Sequence, residues 1–324
     1  MELNSQAQQV LDKLGTLGGK PTETLSAAEA RQQPTPADAV EALLKERGED
    51  TSPEPVANVE EKDAGGVPIR VYTPEGDGPF PIVVYYHGGG WVIANIDVYD
   101  SSPRALANAT ECIVVAVKYR QGPEHPFPAA HDDAFAAYRW VVENAESLGG
   151  DAKRIAVVGE SAGGNLATAT CMTAREESLA MPVHQVLVYP ITDHDFEKPS
   201  YVEHADAKPL NAAMMKWFFD NYAPDESQRS DPRLSPLGGD LNGLPPATVI
   251  TAEFDPLRDD GREYAEKLSA AGIDVETKHY DGVMHEFFGM GAVIDDAKDA
   301  VQTAATRLRE AFAAEGSKAE RSVA

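Results

Sequence analysis

Cysteine is scarce in this 324-residue chain, which carries only Cys112 and Cys171. Two thiols cannot build a disulfide framework or, unaided, a zinc site. Cys112 opens the apolar run that ends at Val117, and Cys171 lies in an Ala/Thr-rich helical stretch. Both are expected to be buried free thiols in a reducing compartment. Cations are also short: 28 Lys and Arg face 53 Asp and Glu, a net charge of −25. Such a field repels phosphate backbones and anionic lipid, so neither a nucleic-acid partner nor a membrane surface is expected. Long apolar runs are missing as well. The stretch from Phe80 to Ala94 is broken by Pro81, His87 and three glycines, and cannot span a bilayer. The N-terminus lacks a basic segment followed by an apolar one, so no secretory signal is expected and the predicted location is cytoplasmic.

What is present points to a large α/β protein. Ala7, Val10, Leu11 and Leu14 form a helical stripe, and Ser26 to Glu29 has capping-box spacing. Thr35-Pro36 starts a helix that Gly48 ends. After a polar joint at Asp50 to Pro55 the period changes. Short β-rich runs are predicted at 55–60, 67–72, 81–86, 112–119, 154–158, 183–189, 247–251 and 274–280. Helical segments at 101–109, 130–145, 164–175 and 257–271 separate most of them, and a last helix covers about 297–313, with fraying expected after Glu315. Runs that are apolar throughout and alternate with helices argue a mostly parallel sheet covered on both faces, with the first two strands antiparallel. The 57 residues between Tyr189 and Ala247 are too many for a plain loop and hold a helix at 211–222. The predicted organisation is cap helices at 1–50, a core at 51–194 and 226–324, and a cap insertion at 195–225.

The chemistry gathers at strand ends. Gly159-Glu160-Ser161-Ala162-Gly163 lies between a strand and a helix, the context a nucleophile elbow needs. His87-Gly88-Gly89-Gly90 follows an earlier strand, and its backbone N–H groups can point to where an oxyanion forms. Neither G-x-x-x-x-G-K-[ST] nor G-x-G-x-x-G is present, which sets a phosphate cradle aside. A base and an acid should follow in the order Ser, Asp, His. His285, after the last strand, and Asp255, after the strand before it, meet that order. Asp259 and Asp260 fall in the first turn of the next helix and suit its dipole, while Glu253 is a competitor nearer the strand. His131-Asp132-Asp133 and Asp193-His194-Asp195 lack metal-ligand spacing, so no metal is expected there and these side chains are predicted to be solvated.

Four stretches together resemble the bacterial hormone-sensitive-lipase family of esterases. They are His87 to Trp91, Tyr119 to Ala130 (YRQGPEHPFPAA), Gly159 to Gly164 (GESAGG) and Asp255 to Asp259 (DPLRD). The resemblance implies an α/β-hydrolase fold with a helical cap and hydrolysis of carboxylic esters of short to medium chain, without a cofactor. It implies Ser161 as nucleophile, His285 as base, Asp255 as its orienting acid, and an oxyanion hole of Gly88, Gly89 and Ala162. It also implies a small-molecule ester as substrate, and a homodimer. Trp91 and the stripe Met214, Trp217 and Phe218 are expected to shape the substrate pocket; the alternative for the stripe is that it only packs the cap on the core. Gln121-Gly122 stands where Leu-Ala is common and is expected to change little. Glu286 follows the histidine where glycine is frequent; within reach of the imidazole its carboxylate would raise the pKa of the base, but adjacent side chains often diverge, so it is expected to face solvent. An arylformamidase or lactonase would use the same triad. The plant gibberellin receptors also resemble this family but lack the histidine; His285 weighs against a binding module.

Overall fold

A computed structural model describes residues 2–323, with side chains described through residue 317. Three helices open the chain. In α1 (Ser5–Thr16) the Asn4 side chain accepts from the Ala7 N–H, and Ala7 and Val10 of the stripe are buried. The capping box forms as predicted in α2 (Ala27–Ala30). Helix α3 (Pro36–Arg47) begins after Thr35 and stops at Gly48, whose φ is 68°.

Each predicted β run forms a strand: β1 (Asn58–Asp63), β2 (Pro68–Thr73), β3 (Phe80–Tyr86), β4 (Ile113–Val117), β5 (Gly150–Glu160), β6 (Gln185–Val188), β7 (Ala247–Phe254) and β8 (Val275–Met284). The connections carry α4 (Ser101–Thr110), α5 (Ala129–Asn144), α6 (Ala162–Glu176), α7 (Pro199–Glu203), α8 (Ala212–Tyr222) and α9 (Arg258–Ala270), and α10 (Asp295–Val323) follows the last strand. One eight-stranded sheet runs β1-β2-β4-β3-β5-β6-β7-β8. Its β1–β2 and β2–β4 pairs are antiparallel and the rest parallel. Ile82, Val84 and Tyr86 of β3 enter a core shared with α5, α6 and α9, whereas Val83 and Tyr85 enter the opposite core with α4 and α10. Burial on both faces explains why the central strands are apolar nearly throughout. The edge strand β1 is exposed at all six positions, and its charges discourage edge-to-edge pairing. Among the described residues no helix is long and apolar enough to cross a membrane.

Several local expectations are corrected. β1 starts at Asn58 because Pro55 offers no ladder donor. β8 continues to Met284, past a register shift against β7 between Ala252 and Phe254, so His285 follows the strand directly. α10 runs on past Glu315 to Val323. His131 and Asp133 are buried rather than solvated. His131 Nδ1 lies 2.8 Å from Tyr222 Oη and Nε2 lies 2.8 Å from Asn165 Oδ1, while Asp133 takes a bidentate bond from Arg120.

The insertion is fastened to α9. Lys198, just before α7, is buried with its Nζ 2.8 Å from Asp260 Oδ1 and 2.9 Å from Glu263 Oε2. The Ser200 N–H donates to Asp259 and its hydroxyl to the Pro256 carbonyl. Asp259 and Asp260 therefore hold the insertion beside the Asp255 loop, a tertiary role in addition to any effect on the helix dipole. Burial pushes Asp260 up to about 7 against the pull of Lys198. Lys198→Met strands a buried carboxylate, and we expect it to lower the unfolding free energy by about 3–5 kcal/mol in urea titrations. Adding Asp260→Asn should recover much of that loss; a double variant as unstable as Lys198→Met would contradict the pairing.

Candidate active site

Ser161 links β5 to α6 on a strained turn, φ 57° and ψ −117°. Its N–H donates to Val188 O at 2.9 Å, and its carbonyl accepts from Asn165 and Ile191, so the turn is held from both sides. Gly163 lets α6 come against β3: a Cβ there would lie 1.9 Å from Tyr86 O. The side chain is thereby presented at the carboxyl ends of the parallel strands, where loops from β3, β7 and β8 converge.

The loops after β7 and β8 complete the constellation. His285 Nε2 lies 3.0 Å from Ser161 Oγ, and its Nδ1 lies 2.7 Å from Asp255 Oδ2. Asp255 is fully buried, and its other oxygen accepts from the Leu257 N–H at 2.8 Å, which fixes the carboxylate plane. With Nδ1–H donating to Asp255, Nε2 is free to accept the Ser161 proton. Burial favours the neutral imidazole, but the charge and hydrogen bond of Asp255, then the charges of Glu286 and Glu160, outweigh it and raise the His285 pKa. Glu253, the competing acid, accepts from the Gly282 N–H and does not meet the imidazole.

Gly88 and Gly89 begin the loop after β3, and Ala162 is the first residue of α6. Among the described residues no protein acceptor takes the Gly88 or Gly89 N–H, and Ala162 lies in the first turn, where helical donors are unused. The Gly89 carbonyl accepts from Val92 and Ile93 and folds the loop back on itself. His87 stacks on Tyr119 with ring centroids 4.3 Å apart, and the Tyr119 hydroxyl donates to His87 O, bracing the loop from below.

The expected pocket residues occupy several environments. Phe218 is buried on α8 directly over the loop after β3: a Cβ on Gly90, whose φ is 58°, would lie 2.2 Å from its ring. Trp217 is partly buried and donates to Leu25 O at 3.1 Å, joining α8 to the N-terminal segment. Met214 is partly buried. Trp91 has no exposed surface; it stacks on Tyr222 and meets Phe219 edge-on, between core and α8. A cavity of about 870 Å³ opens on the other side, between α3, α4 and residues 288–292, and reaches Tyr99, Glu160 and Glu286.

Glu286 does not point into solvent. It is partly buried, adopts φ 69°, and accepts from the Tyr99 hydroxyl at 2.9 Å. Nor is Gln121 an idle replacement, since its amide donates to the Ile93 and Ala94 carbonyls just beyond the three glycines that follow β3. Sequence reasoning did not single out Arg31, which donates to Val92 O, Gly122 O and the Glu124 carboxylate. It also missed Glu160 as a partner of Tyr85 and Tyr189, at 2.5 and 2.6 Å. No spacing signals such long-range pairs. The free thiols are as expected: Cys112 and Cys171 are fully buried. Among the described residues no three His, Cys, Asp or Glu side chains are grouped to hold a metal.

Fold and geometry define the class: a model of the α/β-hydrolase fold matches residues 83–289. The chain belongs to the α/β hydrolases and, within them, to the hormone-sensitive-lipase-like esterases. Carboxylesterase NlhH of Mycobacterium tuberculosis is 42% identical over 291 residues, 86% of this chain and 91% of the relative. Ethyl acetate hydrolase of Pseudomonas putida is 37% identical over 321 residues, covering 96% and 99%. Among solved structures, an α/β hydrolase enzyme from the metagenome of Lake Arreo, Spain, has a TM-score of 0.85 at 41% identity, covering 96% of this chain and 99% of that one.

Gly90 supplies a check on the site's packing. Gly90→Ala forces a left-handed backbone and a clash with Phe218, and should cost about 2–4 kcal/mol in denaturant titration. Because the clash is with one ring, Gly90→Ala/Phe218→Ala should lose at least about 1 kcal/mol less than the summed single losses. Simple additivity would show that Phe218 does not rest on Gly90.

Proposed function

We propose that this enzyme hydrolyses carboxylic esters of short to medium chain through a serine-bound acyl intermediate. The observation that carries the reading is the Ser161–His285–Asp255 chain of contacts on a strained strand-to-helix turn. Ser161 Oγ attacks the ester carbonyl while His285 Nε2 takes its proton. Asp255 orients the ring and stabilises the imidazolium. The N–H groups of Gly88, Gly89 and Ala162 receive the charge on the tetrahedral oxygen. His285 then returns the proton to the departing alcohol, the carbon–oxygen bond breaks, and water repeats the sequence to release the acid. The names of relatives, a carboxylesterase and an ethyl acetate hydrolase, support ester over formamide or lactone as the substrate class. The buried thiols support a cytoplasmic setting.

Ser161→Ala should keep the fold and lose at least about 10⁴-fold in kcat/KM on p-nitrophenyl butyrate. Turnover near the wild-type rate would remove Ser161 as nucleophile. Parallel assays on an aryl formamide and a lactone test the substrate class; either one outpacing the esters would overturn it.

Phe218 and its α8 neighbours set the room above the oxyanion loop in this reading. Phe218→Ala should raise the octanoate-to-butyrate ratio of kcat/KM by about tenfold. An unchanged ratio would make the ring a packing element only.

A further inference from the structure

Two parts of the site come from opposite halves of the chain and meet through one hydrogen bond. The Tyr99 hydroxyl, fixed between the oxyanion loop and α4, donates to Glu286 Oε1 at 2.9 Å. The Tyr99 hydroxyl oxygen also presses on Gly88, where a Cβ would lie only 2.3 Å from it. Tyr99 is 5% exposed, which holds its ring in place at this contact. Glu286 adjoins His285 and holds φ 69°, a left-handed conformation that glycine would adopt without cost. A long acidic side chain at such a position carries a backbone penalty of about 1 kcal/mol, and the strain points to work done by the side chain.

We infer that Tyr99 and Glu286 are positioning residues for the proposed reaction: their hydrogen bond clamps the His285 loop to Gly88, so that base and oxyanion donors keep one spacing. The inference rests on the roles given above to Ser161, His285 and Gly88. As the serine proton moves to His285, the ring gains positive charge beside Glu286. The other groups around the ring are Asp255 after β7, Glu160 at the end of β5, and Tyr189, whose ring centroid is 4.5 Å away. Glu160 is tied to the Tyr85 and Tyr189 hydroxyls, whereas Glu286 is tied to Tyr99, whose hydroxyl also packs on Gly88. Glu286 thus links charge at the base to geometry at the oxyanion.

Four variants, with Ser161→Ala alongside, test the clamp on a p-nitrophenyl ester. Tyr99→Phe removes only the hydroxyl and should lower kcat about tenfold, with KM changed less than about twofold. Glu286→Gly should lose the same factor in kcat while gaining thermal stability, because glycine relieves the left-handed backbone. The double variant should be no slower than either single one. Glu286→Gln keeps an acceptor for Tyr99 and should recover most of the kcat lost in Glu286→Gly. Having lost the charge, it should move the acidic limb of kcat/KM to lower pH, since His285 works as a base only when neutral. Wild-type kcat and an unmoved limb in Tyr99→Phe and Glu286→Gly, with Ser161→Ala inactive, would overturn the clamp and leave the triad standing. An active Ser161→Ala would overturn the triad and the clamp with it.

Discussion

Everything at the site depends on how closely β5, α6 and β3 approach one another. The turn at Ser161 is narrow because Gly159 and Gly163 put no side chain between the strand and the helix. That approach fixes three things together: the left-handed backbone of Ser161, the start of α6 at Ala162, and the proximity of both to the loop leaving β3. Strain of this kind persists only where surrounding bonds over-determine it, here those from Val188, Asn165 and Ile191. The proposed nucleophile and oxyanion donors are thus consequences of one packing constraint rather than separate inventions. His285 and Asp255 need only be brought to a place already defined.

That hierarchy explains what could be read from the sequence. Gly159 to Gly163, His87 to Gly90, Asp255 and His285 are legible because each follows a strand whose apolar run is visible. In a parallel sheet all such ends open on one edge. Strand identity was legible for the same reason, although edges moved; β8 continues to Met284 because its last residues pair beyond a register shift that no periodicity announces. The side chains that brace the site were not legible. Tyr99 and Glu286 are 187 positions apart, and Arg31 reaches Glu124 across 93. Such pairs exist only in three dimensions. Burial of His131 and Asp133 was missed on similar grounds, because their partners Asn165, Tyr222 and Arg120 come from other elements.

The distribution of charge has a local meaning as well as a global one. Surface acidity governs what the protein repels, but the carboxylates near His285 act at short range in a desolvated setting. Asp255, Glu160 and Glu286 are each held by hydrogen-bond donors: a backbone N–H, two phenols and one phenol respectively. Polar groups fully engaged in this way can be buried without loosening the core. An imidazole among them is favoured in its protonated form.

Asn4 donates to the Gly282 carbonyl and to Asp296, a separation of 292 positions in the second case. During synthesis the N-terminal segment therefore leaves the ribosome long before its resting place has been made. The central strands can pair as they emerge, but α1 must wait for β8 and the head of α10. Assembly at this end runs against the order of translation, since α1 is made before the strand and helix on which it docks.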